Sequence, residues 1–361
     1  IGEEARDKDP GFKIENGKAS AFPELRTMLD SFRTYYRGYG QIVLQCNVED
    51  DMLGIPEYAL QEHGLDALEF KFGQSAKGTQ PVRKLRNRDE ALEKQAKGML
   101  VFPDPMSPEI VEKAEEGMGP NFYSYARLPL WDEAYLINRI KRLREMGISN
   151  FYLKMAGYDR ADLERVLRMG SEAQVDMITF DGAGGGSGYS PCKMMNEWSL
   201  PTVLLEDAVC KIVEKLKAEG RYIPGITMTG GFSSEDQVFK ALAFGSSNVT
   251  SIGLCRASMT AAMTGKSIGE RIKEGDVPKN LKKYGDTVDE LYHDLADLRF
   301  LYGKRADEMS LGAVGVFSYL NKIAFGLQHF AALNRKFDIS YLEKSDLIPL
   351  TQDVKDLMVG Q

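Results

Sequence analysis

From residue 41 onward, short apolar β-rich runs alternate with longer helical patterns, and no other feature of this 361-residue chain constrains its fold as strongly. The runs lie at 42–46, 67–72, 122–128, 151–155, 177–180, 226–229 and 249–254. Between them, residues 134–146 place Leu136, Ile137, Ile140 and Leu143 at helical spacing, and 160–169, 201–218 and 233–244 follow the same rule. The last of these opens on Ser233-Ser234-Glu235-Asp236, an N-cap followed by an acidic first turn. Near-continuous apolar strands separated by helices imply an α/β fold, a parallel sheet covered by helices. A doubly wound open sheet and a (β/α)8 TIM barrel both satisfy this pattern. Seven runs spread over about 250 residues favour the barrel. Its missing first strand would lie upstream of Ile1. Residues 23–36 read as a short helix, and from 282 onward the pattern is helical, with long segments at 288–302 and 313–333. The expected organisation is therefore a barrel over 1–280 and a helical C-terminal extension over 281–361, packed on the barrel or on a partner subunit.

Composition removes several function classes. A net charge of −7 argues against a nucleic-acid binder, which shows a basic face, though it leaves room for a local basic pocket. Cys46, Cys192, Cys210 and Cys255 are far apart and form neither a disulfide framework nor a metal-binding loop. A reducing cytoplasm is the expected compartment. No run reaches the roughly 18 apolar residues that a membrane span requires. The most apolar stretch, 311–333, is interrupted by Asn321, Lys322, Gln328 and His329 and reads as a packed helix.

Glycine marks the ends of three predicted strands. The run at 177–180 is followed by Asp181-Gly182-Ala183-Gly184-Gly185-Gly186-Ser187-Gly188, that at 226–229 by Gly230-Gly231, and the last contains Gly253-Leu254. Barrel enzymes place their sites at the carboxyl ends of strands, and the loops after strands seven and eight recurrently hold a phosphate. Glycine lets the backbone approach an anion closely, and successive amides supply a partly positive cradle. A nicotinamide-type fingerprint is not supported, because no acidic strand end follows at the right distance.

At these residues the chain resembles the FMN-binding domain of glutamate synthase and its stand-alone relatives. The loop 181–191 is similar to the family's Asp-Gly-x-x-Gly-Gly-x-Gly-x-x-Pro. Glu69-Phe70-Lys71-Phe72-Gly73-Gln74-Ser75-Ala76-Lys77-Gly78 resembles its Lys-x-x-Gln-Gly-Ala-Lys-Pro-Gly run, and Tyr152-Leu153-Lys154 its flavin-facing strand. The likeness covers about residues 40–271. It implies an FMN-dependent oxidoreductase that transfers a hydride between flavin and a small amino-acid- or keto-acid-type substrate, as in glutamate biosynthesis. It further implies that the amides of Gly184, Gly185, Gly230, Gly231, Gly253 and Leu254 contact the cofactor. Lys154 would face N1 of the flavin and Gln45 its pyrimidine edge. Lys71 and Lys77 would hold substrate carboxylates. Asp181 either assists proton transfer or caps its own glycine turn.

Three departures from the family narrow the expectation. After the last strand only Cys255 stands where glutamate synthase has a cysteine cluster, so no iron–sulfur centre is expected. No amidotransferase half is expected, and the loop after Lys77 is shortened relative to the family's. Electrons would then pass to a partner protein or a soluble donor, and a homo-oligomer is equally compatible. None of His63, His293 and His329 lies at a predicted strand end, which disfavours a hydroxy-acid oxidase with a histidine base. The histidines, cysteines and carboxylates show no metal-ligand spacing. Two rival readings remain: a nucleotide-dehydrogenase-type barrel using Cys192 as nucleophile, and a flavin-binding subunit of a larger complex that does not turn over.

Overall fold

The computed structural model describes residues 13–72, 83–96, 99–127, 132–157, 159–186 and 199–359. Lys77 and Cys192 lie outside these residues. The chain forms two compact units, Ile1–Gly230 and Gly231–Gln361.

The first unit begins with an antiparallel hairpin, β1 (Lys13–Glu15) and β2 (Lys18–Ala21), and α1 (Pro23–Tyr35). Proline at the first helical position of α1 suits an end where its missing N–H costs nothing, and Leu25 and Leu29 bury one face. Next come β3 (Leu44–Cys46), α2 (Val48–Met52), α3 (Ile55–His63) and β4 (Ala67–Lys71). After an insertion, the strands continue as β8 (Asn150–Ala156), β9 (Met177–Asp181) and β10 (Gly225–Thr229), joined by α7 (Arg160–Glu172) and α8 (Thr202–Ala218). These five strands pair in parallel in the order β3-β4-β8-β9-β10. Every crossover therefore leads to the adjacent strand, the sequential winding of a (β/α)8 barrel, with no reversal of the kind an open doubly wound sheet requires. The fold class is α/β with a parallel sheet.

The strands are not continuously apolar. One sheet face carries Leu44, Cys46, Leu68, Phe70, Phe151, Leu153, Met155, Ile178, Phe180, Ile226 and Met228, all buried. Phe70 and Phe151 meet edge to face at 4.9 Å between ring centroids. Leu163 and Leu167 of α7, and Leu205, Val209, Val213 and Leu216 of α8, are fully buried on the helical side of this core. The alternate residues of the same strands are mostly polar, with Ala67, Ala156 and Met177 as exceptions.

The run at 122–128 does not join the parallel sheet. It forms β7 (Phe122–Arg127), the centre of an antiparallel three-stranded sheet with β5 (Arg83–Leu85) and β6 (Met99–Phe102) at its edges. Leu85, Val101 and Phe122 share a core with Ala91 of α4 (Arg88–Ala96) and Ile110 of α5 (Pro108–Glu115). This insertion leaves the barrel sequence after β4 and returns to it through α6 (Glu133–Met146), which Asp132 caps by accepting the Tyr135 amide at 2.7 Å. An apolar-rich run does not reveal which sheet it will enter, and here both neighbours of β7 are local.

The second unit contains α9 (Glu235–Gly245), β11 (Ser251–Ile252), α10 (Arg256–Lys273), α11 (Val288–Leu291), α12 (Leu295–Tyr302), α13 (Leu311–Leu333) and α14 (Gln352–Val359). Ser234 is the N-cap residue of α9, yet its hydroxyl turns to Asp236 rather than to the helix amides. Helix α13 packs on α10 so closely that a β-carbon on Gly265 would lie 2.6 Å from the Leu311 carbonyl, and one on Gly315 2.6 Å from that of Ala261. Ile272, Val277, Tyr292, Leu295, Leu298, Ala306 and Val314 form the local core. No helix among the described residues is long and apolar enough to cross a membrane.

Candidate functional site

The polar sheet face of the first unit holds four of the residues that the sequence singles out, Gln45, Lys71, Lys154 and Asp181. In a parallel sheet, residues at matched register lie side by side on one face, and every second residue along a strand returns to it. Gln45 is matched with Glu69, Glu69 with Tyr152, and Tyr152 with Met177. One layer nearer the carboxyl ends, Lys71 is matched with Lys154, Lys154 with Thr179, and Thr179 with Thr227. The last layer is Ala156, Asp181 and Thr229. The face thus grades from an amide–carboxylate layer through a cationic layer to a buried carboxylate at the strand ends.

Hydrogen bonds fix several members of these layers. Gln45 Nε2 donates to Glu69 Oε1. Tyr152 donates its hydroxyl to Gln41 Oε1 at 2.7 Å, and burial together with Asp176 and Asp66 pushes its phenol pKa upward. Lys71 is 8% exposed, and the Phe72 amide donates to the Lys154 carbonyl at 2.9 Å, extending the ladder past the end of β4. Asp181 is 2% exposed and accepts a short hydrogen bond from the Thr229 hydroxyl.

Around Asp181 the glycine loops lock together. The Gly182 amide donates to Thr229 O at 2.8 Å, and the Ala183 amide to Leu200 O at 2.9 Å. The Leu200 amide donates to Gly157 O at 3.1 Å. The Thr202 hydroxyl, at the start of α8, donates to Gly230 O at 2.7 Å. A β-carbon on Gly182 would strike Thr202, one on Gly185 would fall inside the Asp181 carboxylate, and one on Gly230 would meet Thr202 and Gly182. Gly230 also has φ +125°, a conformation open to glycine at little cost. These glycines are therefore required first for close approach of three strand-end segments. Gly184 and Gly185 lie in a single 3-10 turn, Ala183–Gly185.

In the second unit, Gly231 has φ +93°, and Gly253 and Leu254 follow β11, both half-buried. Cys255 is exposed, whereas Cys46 and Cys210 are buried. His63 ends α3, where burial, more than any neighbouring charge, lowers its pKa. Of the sequence-derived candidates, Gln45, Lys71, Lys154 and Asp181 share one sheet face.

Sequence reasoning assigned no role to Glu69, Thr179, Thr227 or Thr229, which complete that face. The signal was present as a period-two pattern at the strand ends: Glu69 and Lys71, Tyr152 and Lys154, Thr179 and Asp181, Thr227 and Thr229. A concavity of about 750 Å³ lined by Lys141, Arg144, Glu172, Asp176 and Tyr222 lies at the opposite, amino ends of the strands. There Arg144 pairs with Asp176 at 3.0 Å. That end of a barrel serves stability rather than chemistry.

With this geometry in place, comparison with known proteins adds a further finding. Residues 106–264 match the family described as a conserved region in glutamate synthase. The glutamate synthase resemblance holds over this region. The glutamate-synthase-like stretch includes β8, β9, β10 and β11, and with them Lys154, Asp181 and all the glycine turns. Lys71 and Gln45 precede it. A comparison with curated proteins finds no match. Among solved structures, the chain is similar to a doubly substituted flavocytochrome b2 with sulfite bound, at 10% identity, covering 95% of this chain and 76% of that one, with a TM-score of 0.42. FabK from Thermotoga maritima aligns at 11% identity over 92% and 89% of the two chains, with a TM-score of 0.38. The monotopic membrane protein (S)-mandelate dehydrogenase aligns at 15% identity over 90% and 69%, with a TM-score of 0.40. These likenesses are too distant to bear on chemistry.

Proposed function

We propose that the chain is an FMN-dependent oxidoreductase of the glutamate-synthase-like class, moving a hydride between flavin and a carbon that carries nitrogen or oxygen beside a carboxylate. The observation that carries this reading is Lys71 beside Lys154, at one register on one sheet face. Adjacent strands are about 4.8 Å apart, so the two lysines rise from neighbouring backbone positions on that face. Two cationic side chains on one face suit an anionic ligand, and partial exclusion of water strengthens that attraction. The donor set fits FMN: two cations, an amide at Gln45, and glycine amides at the strand ends.

FMN, when bound, supplies the hydride chemistry. The protein's part is to hold and polarise. Lys154 stabilises negative charge at the N1–C2=O edge of the flavin, where charge develops on reduction. Lys71, with Lys77, anchors the substrate carboxylate. Gln45 reads the pyrimidine edge. The amides of Gly230, Gly231, Gly253 and Leu254 would hold the phosphate, while the Gly185 amide is committed to the Gly182 carbonyl at 2.8 Å and serves the shape of the loop. Asp181, held by Thr229 and packed under Gly185, keeps the loop in place for them. Electrons reach the site from a partner protein or a soluble donor, and the separated cysteines suit a reducing cytoplasm.

A purified sample should be yellow, and after photoreduction it should reoxidise with 2-oxoglutarate plus ammonia. Lys154→Ala should weaken FMN binding while leaving the circular-dichroism spectrum unchanged. A colourless protein that does not rebind added FMN would falsify the assignment.

A further inference from the structure

The amide of Gln45 has a fixed polarity, and Glu69 sets it. Gln45 and Glu69 occupy matched positions on β3 and β4, on the polar sheet face and one layer below Lys71 and Lys154. Gln45 Nε2 donates to Glu69 Oε1. An amide can ordinarily turn over and present either its carbonyl or its NH2 group to a ligand. An ionised carboxylate accepts hydrogen bonds and donates none, so only the NH2 end of Gln45 can face Glu69. The amide carbonyl is then the end left for a ligand.

We infer that Glu69 is a positioning residue that turns Gln45 into a hydrogen-bond acceptor, and that the group Gln45 reads is the N3–H of the flavin pyrimidine ring. The inference rests on the FMN reading above and deepens it. It assigns opposite polarities to two neighbouring parts of the site: Lys154 meets the electron-rich N1–C2=O edge as a cation, and Gln45 meets the only N–H of that ring as an acceptor. A flavin turned over about its long axis would bring a carbonyl oxygen against the Gln45 carbonyl, an acceptor facing an acceptor. The Glu69–Gln45 pair therefore also selects which face of the ring is presented to substrate.

The test uses apoprotein prepared from the full chain, titrated with FMN and separately with N3-methyl-FMN, which has lost the N3–H. Binding is read by quenching of flavin fluorescence. In the wild type, methylation should weaken binding by roughly 10- to 100-fold, because an acceptor committed to an N–H is left unpaired. In Glu69→Gln the Gln45 amide is free to turn over, so the ratio of the two affinities should fall several-fold toward unity. Glu69→Asp keeps an acceptor-only group and should retain most of the discrimination. Equal binding of the two flavins by the wild type overturns the inference while leaving the FMN reading intact. So does full discrimination in Glu69→Gln. Failure of the wild type to bind either flavin overturns the FMN reading and this inference with it. If Glu69→Gln does not fold, the wild-type ratio and that of Glu69→Asp still decide, since the loss must appear in the first and persist in the second.

Discussion

A β-carbon at position 185 would lie inside the Asp181 carboxylate, and a β-carbon at position 182 would lie 2.7 Å from the Thr202 Cα. At the residue scale, then, the glycine loop is a packing device. Gly185→Ala must displace a buried carboxylate from its bond with Thr229, and overpacking of this kind costs about 1–3 kcal/mol. The expected outcome is a lower denaturant midpoint with an unchanged slope. Gly119→Ala is the control, because a β-carbon there meets nothing within 4 Å, and its effect should stay within about 0.5 kcal/mol. If both variants unfold at the same denaturant concentration, the close packing around Asp181 is wrong. Asp181 itself was open to two readings from sequence, proton transfer or capping. The bond from Thr229 came into view only through the pairing of β9 with β10, because the two residues are distant in the chain.

At the element scale, α7 and α8 are joined at their surface by ion pairs. Arg168 donates to both oxygens of Glu219, at 2.6 and 2.7 Å, and also pairs with Glu164, which Lys215 contacts at 2.8 Å. The Arg168 guanidinium, with Arg221 beside it, holds the Glu219 carboxyl at about 2, well below its ordinary 4.5. A carboxyl depressed in the folded state stabilises the fold above its ordinary pKa, and the contribution fades as pH falls from 4.5 toward 2. Wild type and Glu219→Gln should therefore differ in urea midpoint near neutral pH and converge under acid conditions. The pair is exposed to solvent, so the gap should be small and should shrink further in high salt. A gap that is independent of pH would assign the effect to packing instead. The helices were legible as periodic segments. The residues joining them were not, because Arg168 and Glu219 meet only once both helices lie on the sheet.

At the scale of the whole molecule, the proposed phosphate role makes a prediction that the proposed ring contacts do not. A ligand that binds only the folded state stabilises it by about 2.7 kcal/mol at 100 times its dissociation constant. FMN at such an excess should raise the thermal midpoint by several degrees, measured calorimetrically. Riboflavin has the same ring and lacks the phosphate, so at equal concentration it should raise the midpoint less. An equal rise would remove the phosphate role from Gly230, Gly231, Gly253 and Leu254.

The sequence by itself determined the α/β class, the alternation of strands and helices from residue 133 to 254, the glycine turns and the glutamate synthase likeness. All of these are local patterns: periodicity, turn chemistry and short motifs are written along the chain within one or two elements. It also contained the polar alternation of β4, β8, β9 and β10, although apolar content masked it. Only the tertiary structure decided that Lys71 stands beside Lys154, that Gln45 donates to Glu69, and that the run at 122–128 builds an inserted antiparallel sheet. Each of these depends on which strand pairs with which and in what register. That choice is made when each strand buries one face together with those of its neighbours, and no pattern within a single strand records it.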